Sequence, residues 1–177
     1  MAEVKVASAK GFRNRCAAFI RDRRGATAVE FALVATPFIG LLAALIQTFL
    51  VFFAQQLLES VVQQSSRQIL TGQVQSQQMT AAQFQTVVCN QVAILFNCSG
   101  LMVDVQVASS WSSATTSAPT LTYDAQGKVT NTWQFVPGSA GDIVVVRVMY
   151  LWPIFMFSNQ GSQMLMATAA FQNEPSS

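Results

Sequence analysis

Hydrophobic positions follow three different periodicities along this chain. From Phe31 to Ala54 there is no period at all: 24 consecutive residues carry no formal charge, and only Thr36, Gln47 and Thr48 are clearly polar. A helix that is apolar all round belongs in lipid or in a large core. At 1.5 Å per residue the run gives roughly 36 Å of helix, against a hydrocarbon layer of about 30 Å. Beyond Ala54 the pattern becomes one-sided, with Leu57, Leu58, Val61, Val62, Ile69 and Leu70 near helical spacing on a glutamine-rich background. These segments predict one long helix from about residue 26 to about 70, with its first half in lipid, its second half amphipathic and Gly72 as its stop. Pro37 removes a backbone hydrogen bond from the lipid half and is expected to kink it.

The polar stretch Gln73–Gln78 reads as a linker. Thr80-Ala-Ala-Gln83 fits a capping box, with Met79 and Phe84 as its hydrophobic staple. The helix it opens carries Phe84, Val87, Val88, Val92 and Leu95 on one face and is expected to end near Asn97–Gly100. The period then changes to two: Leu101–Val107 alternates as a strand with one buried face. Residues 109–128 are rich in Ser and Thr, include Pro119 and Gly127, and predict a long exposed loop. A strand is expected over Val129–Val136, a turn at Pro137–Gly141, a strong strand over Ile143–Trp152 ended by Pro153, and a last strand over Gln163–Gln172. The predicted fold class is α+β: a long N-terminal membrane-spanning helix with a small antiparallel-sheet head. There is no internal repeat.

Charge divides the chain. The first 25 residues hold seven basic and two acidic side chains, whereas residues 26–177 hold three and six. A basic arm can bind nucleic acid, but here a hydrophobic span follows at once, and positive charge beside a span sets orientation. The expected organisation is a basic cytoplasmic leader over 1–25, an N-terminal helix over 26–72 with residues 31–54 in the bilayer, and a periplasmic head over 73–177. A cleavable secretory signal is the main rival. It would need an apolar region of only about 7–15 residues and a small-x-small site after it. The run here is longer, and it leaves through Phe52-Phe53-Ala54-Gln55.

Only a tenth of the residues are charged, where about a quarter is usual for a soluble domain. The chain has no histidine, the commonest general base and metal ligand. Asp104, Asp124 and Asp142 are scattered, and no phosphate loop or nucleophile elbow occurs. Two cysteines alone are a weak zinc site. Trp111, Trp133 and Trp152 fit a core or interface better than a base-stacking platform. No catalytic residue, cofactor, metal or nucleic-acid partner is expected, and the chain does not read as an enzyme.

The junction before the span carries the most information. Gly25-Ala26-Thr-Ala-Val-Glu30-Phe31-Ala-Leu-Val, followed by Pro37, resembles the prepilin-peptidase site of TadE-like proteins, minor pilins or pseudopilins of the tight-adherence pilus system. Cys89 and Cys98 flanking a short helix, Leu151-Trp152-Pro153, and Asn173-Glu174-Pro175 also fit that family. The resemblance implies cleavage between Gly25 and Ala26 by a prepilin peptidase. It also implies residence in the inner membrane, other pilins and pilus-assembly proteins as partners, and roles in pilus biogenesis and adhesion. Glu30 and Phe31 become assembly residues.

Residue chemistry bears on each of these points. A peptidase must approach the backbone closely, and Gly25 offers no side chain; the plainer reading is a glycine at a helix start. Cleavage would free the amine of Ala26, and Glu30, one turn deeper, could pair with the amine of a neighbouring subunit. An unpaired charge in low dielectric is heavily penalised. The alternatives are that Glu30 merely lies among lipid headgroups or is read only by the peptidase. Ala28, Ala32, Ala35, Gly40 and Ala44 allow close helix packing or simply reflect apolar-helix composition. Cys16 should remain a thiol, while Cys89 and Cys98 can pair in an oxidising compartment or stay as buried thiols. On one unbroken helix, nine residues would hold them roughly 13 Å apart, so a bridge requires the helix to end before Cys98. A second functional class also stands: an uncleaved single-pass anchor that displays a periplasmic binding head and enters no filament.

Overall fold

The first helix, α1, runs unbroken through Ala26–Leu70, 45 residues. The computed structural model describes residues 25–154 and 161–175; residues 1–24, which include Cys16 and nearly all of the expected leader, lie outside them. By its internal contacts the chain divides between Leu45 and Ile46. In the N-terminal unit the large apolar side chains of α1 face outward, with Phe31, Leu33 and Val34 each at least 70% exposed. Pro37 lies inside the helix. Its missing N–H leaves the Leu33 carbonyl without the usual donor. One residue earlier, the Thr36 hydroxyl donates to the Ala32 carbonyl at 2.7 Å, a bond type that often accompanies bends.

In the second unit α1 becomes one-sided. Ala54, Leu58, Val61, Val62, Ser65, Ser66 and Ile69 are buried, a stripe at the helical repeat. The exposed Arg67 in the last turn suits the negative end of the helix dipole. The stop is at Gly72, as the sequence predicts. Its φ of +72° lets the chain turn left-handed while its N–H bonds the Ile69 carbonyl at 3.0 Å. The expected linker is partly helical: a single turn, α2, occupies Gln73–Ser76 and buries Val74. One apolar side chain with somewhere to go outweighs the polar composition around it.

The next helix, α3, spans Ala81–Val92. Its capping box forms as read: Gln83 N–H donates to the Thr80 hydroxyl at 3.3 Å, and Thr80 N–H donates to the Gln83 side chain at 2.9 Å. Phe84, Val88, Cys89 and Val92 are its buried face, and Met79 packs against the same core. The helix stops earlier than the expected Asn97–Gly100, giving way to turns and a short 3₁₀ segment at Cys98–Gly100.

Three strands complete the head: β1 at Met102–Ala108, β2 at Ile143–Pro153 and β3 at Ser162–Gln172. The sheet order is β1-β2-β3, antiparallel throughout. Side chains alternate across a sheet. Val105, Val144, Val146, Val148, Leu165, Ala167 and Ala169 share one cluster with the buried stripes of α1 and α3. No strand forms over 129–136. A single parallel bridge joins Phe135 to Val105, through Val105 N–H to the Gln134 carbonyl and Val136 N–H to the Val105 carbonyl, each 2.9 Å. Upstream of it the chain bonds locally to 120–124 instead, with Tyr123 bridged to Val129. The segment therefore touches β1 at one point rather than extending the sheet.

Candidate functional site

The junction residues follow each other at the head of α1. Gly25 immediately precedes the helix, Ala26 is its first residue, and Gly25, Ala26, Glu30 and Phe31 are all exposed. A Cβ at Gly25 would meet nothing within 4 Å, so this structure gives glycine no packing reason to be there. Ala26 and Glu30 stand four apart and share a helix face. From Phe31 to Leu58 the sequence has no ionisable side chain, which makes Glu30 the one fixed charge over the whole apolar stretch. Among the described residues, α1 is the one helix long and apolar enough to cross a membrane, and its most apolar window has no buried residue.

The head holds a second constellation. Cys89 on α3 and Cys98 on the 3₁₀ turn are joined by a disulfide with Cα atoms 5.6 Å apart, inside the normal range. The early end of α3 at Val92 is what lets the chain double back. Beside the bridge, Phe96 meets the rings of Tyr150 and Trp152 edge-on at 4.9 and 5.7 Å. Trp152 of the Leu151-Trp152-Pro153 motif is thus a core residue, in the same buried cluster as Cys89. In the chain-entropy account, a loop of this size is worth roughly 2.5–3 kcal/mol. Replacing Cys98 with Ser should lower the stability of the detergent-solubilised chain by about that much, read from the denaturant midpoint. In the unreplaced chain, Cys89 and Cys98 should resist alkylation until a reductant is added; ready labelling without one would rule out the bridge.

The Asn173-Glu174-Pro175 motif ties together two turns. The Asn173 side chain donates to the carbonyls of Pro137 at 2.9 Å and Ser139 at 3.0 Å, and Gln75 donates to the same Pro137 carbonyl at 2.9 Å. Glu174 N–H donates to the carbonyl of Leu70, the last residue of α1, at 3.0 Å. The turn it clasps depends on Gly138, at φ +70°, where an added Cβ would come within 3.1 Å of Val107 and Asp142.

Sequence reasoning missed one pair. Asp104 and Arg147 sit opposite each other in the β1–β2 register, on the sheet face turned away from α1. Both are buried, and two Arg147 nitrogens donate to Asp104 Oδ2, Nη2 at 2.6 Å and Nε at 3.1 Å. Gln134 N–H donates to Asp104 Oδ1 at 2.9 Å, and the Gln106 amide covers both oxygens at 3.2 and 3.0 Å. Among the described residues this is the only ion pair, and no group of three or more Cys, Asp or Glu is placed to hold a metal.

A long, outward-facing apolar helix behind a glycine junction, joined in one chain to a three-stranded antiparallel head, gives an α+β, pilin-like fold with one helix long and apolar enough to cross a membrane. Residues 25–67 match the family model described as TadE-like protein, a stretch that takes in the junction, Glu30, Pro37 and most of α1. Over those residues, about a quarter of the chain, the protein is similar to that family. No curated protein and no solved structure matches the chain.

Proposed function

We propose that this chain is a non-catalytic minor pilin or pseudopilin that acts in assembling a tight-adherence pilus. It sits in the inner membrane with its basic leader in the cytoplasm and its head in the periplasm. A prepilin peptidase cuts between Gly25 and Ala26. The observation that carries this reading is the Gly25–Glu30 junction at the head of an exposed apolar helix, inside the stretch that matches the TadE-like family. Seven basic side chains ahead of the span favour retention of the leader on the cytoplasmic side. Cleavage would place the new amine of Ala26 at the positive end of the α1 dipole, where a nearby carboxylate is favourable. Glu30 supplies it, either to its own chain or to a neighbouring subunit.

N-terminal sequencing of the membrane-purified protein tests the proposal, and a start at Ala26 is expected. Gly25→Leu should leave a precursor heavier by the 25-residue leader. An unchanged mass, equal to the full chain in both forms, would leave an uncleaved anchor with a displayed head as the better account.

A further inference from the structure

The loop between β1 and the Phe135 bridge takes no part in the junction, the disulfide or the C-terminal clasp. From Ser109 to Thr122, nine of fourteen residues are Ser or Thr, and no charged residue occurs between Asp104 and Asp124. Its polarity is therefore almost entirely hydroxyl. Serine and threonine mixed with proline and alanine make up the usual composition of O-glycan acceptor segments.

The hydroxyls fall into two groups. Those at the N-terminal end are tied to each other: Ser109 to Ser113 at 3.2 Å, Ser110 to Ser112 at 2.9 Å, and Ser113 to the Ser110 carbonyl at 2.9 Å. At the far end Thr122 shares a 2.8 Å bond with Thr130. Between them, Thr116, Ser117 and Thr120 are exposed, and their hydroxyls have no hydrogen-bond partner among the described residues. Residues 114–120 form neither helix nor strand. Pro119 fixes its own φ and biases Ala118 away from the helical region, and Ser117 stands at a bend in the chain. The stretch is nonetheless anchored, because Asn131 donates to the Thr120 carbonyl at 2.9 Å and accepts from Thr122 N–H at 2.8 Å.

We infer that Thr116, Ser117 and Thr120 are O-glycosylation acceptors, presented on a tethered, exposed loop that bends at Ser117. The co-substrate is a sugar carried on a phosphate or pyrophosphate. The hydroxyl oxygen attacks the anomeric carbon, and the new glycosidic C–O bond forms as the bond from that carbon to the phosphate oxygen breaks. The phosphate leaves with the electron pair, the hydroxyl proton passes to a base on the transferase, and nothing is oxidised or reduced. The glycan would supply hydration to a head that carries few charges. This inference does not depend on cleavage at Gly25.

Intact-mass measurement of the full chain, purified from the organism that encodes it, should show increments of hexose, N-acetylhexosamine or related sugar residues. Electron-transfer fragmentation should place them within 116–120. The triple variant Thr116→Ala, Ser117→Ala, Thr120→Ala should lose them all. Ser110→Ala with Ser112→Ala should keep them. An unmodified mass overturns the inference, as do increments mapping to 109–113 or equal to phosphate. The anchored loop leaves fold and export intact in either variant, so equal amounts of each in the membrane fraction are expected.

Discussion

Replacing Glu30 with glutamine should leave the chain fully processed but poorly assembled. Glutamine keeps the length and most of the hydrogen bonding of glutamate and removes only the charge. If the carboxylate meets the Ala26 amine of a neighbouring helix within the apolar layer, its loss strands a cation there. Removing one member of a buried ion pair typically costs about 3–5 kcal/mol, so association should fall by about a hundredfold or more. Glu30→Ala should do as much or worse. Two measurements separate the alternatives: the processed fraction by intact mass, and crosslinked co-purification with other pilus components. Impaired cleavage would assign Glu30 to peptidase recognition. Normal cleavage with undiminished crosslinking would remove it from the mechanism and leave helix packing to hold the subunit.

The head should respond as strongly to loss of Asp104. With Asp104→Ala, the buried Arg147 guanidinium loses the carboxylate that accepts two of its donors, and Gln134 N–H and the Gln106 amide lose their acceptor too. The expected destabilisation is about 3–5 kcal/mol, seen as a lower denaturant midpoint for the detergent-solubilised chain. The double variant Asp104→Leu, Arg147→Met should recover most of that, because an apolar pair of similar volume needs no partner. A single variant as stable as the original chain would mean that water reaches the pair and that its burial contributes little.

The elements legible in the sequence are those set by near-neighbour spacing. The long helix, the Thr80–Gln83 box and the valine-rich β2 each announce themselves within a dozen residues. The Asp104–Arg147 pair does not, because it depends on the register between two strands separated by the whole 109–142 stretch. A signal was present all the same: these are the only two charged residues in the three strands, each on an otherwise apolar background, and charges so placed need each other. The strand expected at 129–136 failed for the converse reason. Its β-forming residues are real, but Asp104 and Val105 hold it at one point and 120–124 claims the rest, so local propensity found no partner edge. The junction was readable as a resemblance because the residues that carry it are consecutive, and the match over residues 25–67 takes them in. The clasp by Asn173 was visible as a motif, but its role required knowing where Pro137 and Leu70 end up.

The bond from Glu174 N–H to the Leu70 carbonyl also says something about order in time. In a chain that emerges from its N-terminal side onward, α1 precedes residue 174 by about a hundred residues. β2 can pair with β1 on arrival, but its other edge, lined with valines, stays open until Ser162–Gln172 follows. Because β3 comes next in the chain, that interval is short and the partner is tethered. The stitch that Asn173 and Glu174 make onto the end of α1 and the 137–141 turn can form only once β3 has arrived. A chain that stops at Gln172 would carry every strand and both long helices yet leave that seam unfastened, giving quality-control proteases a place to begin.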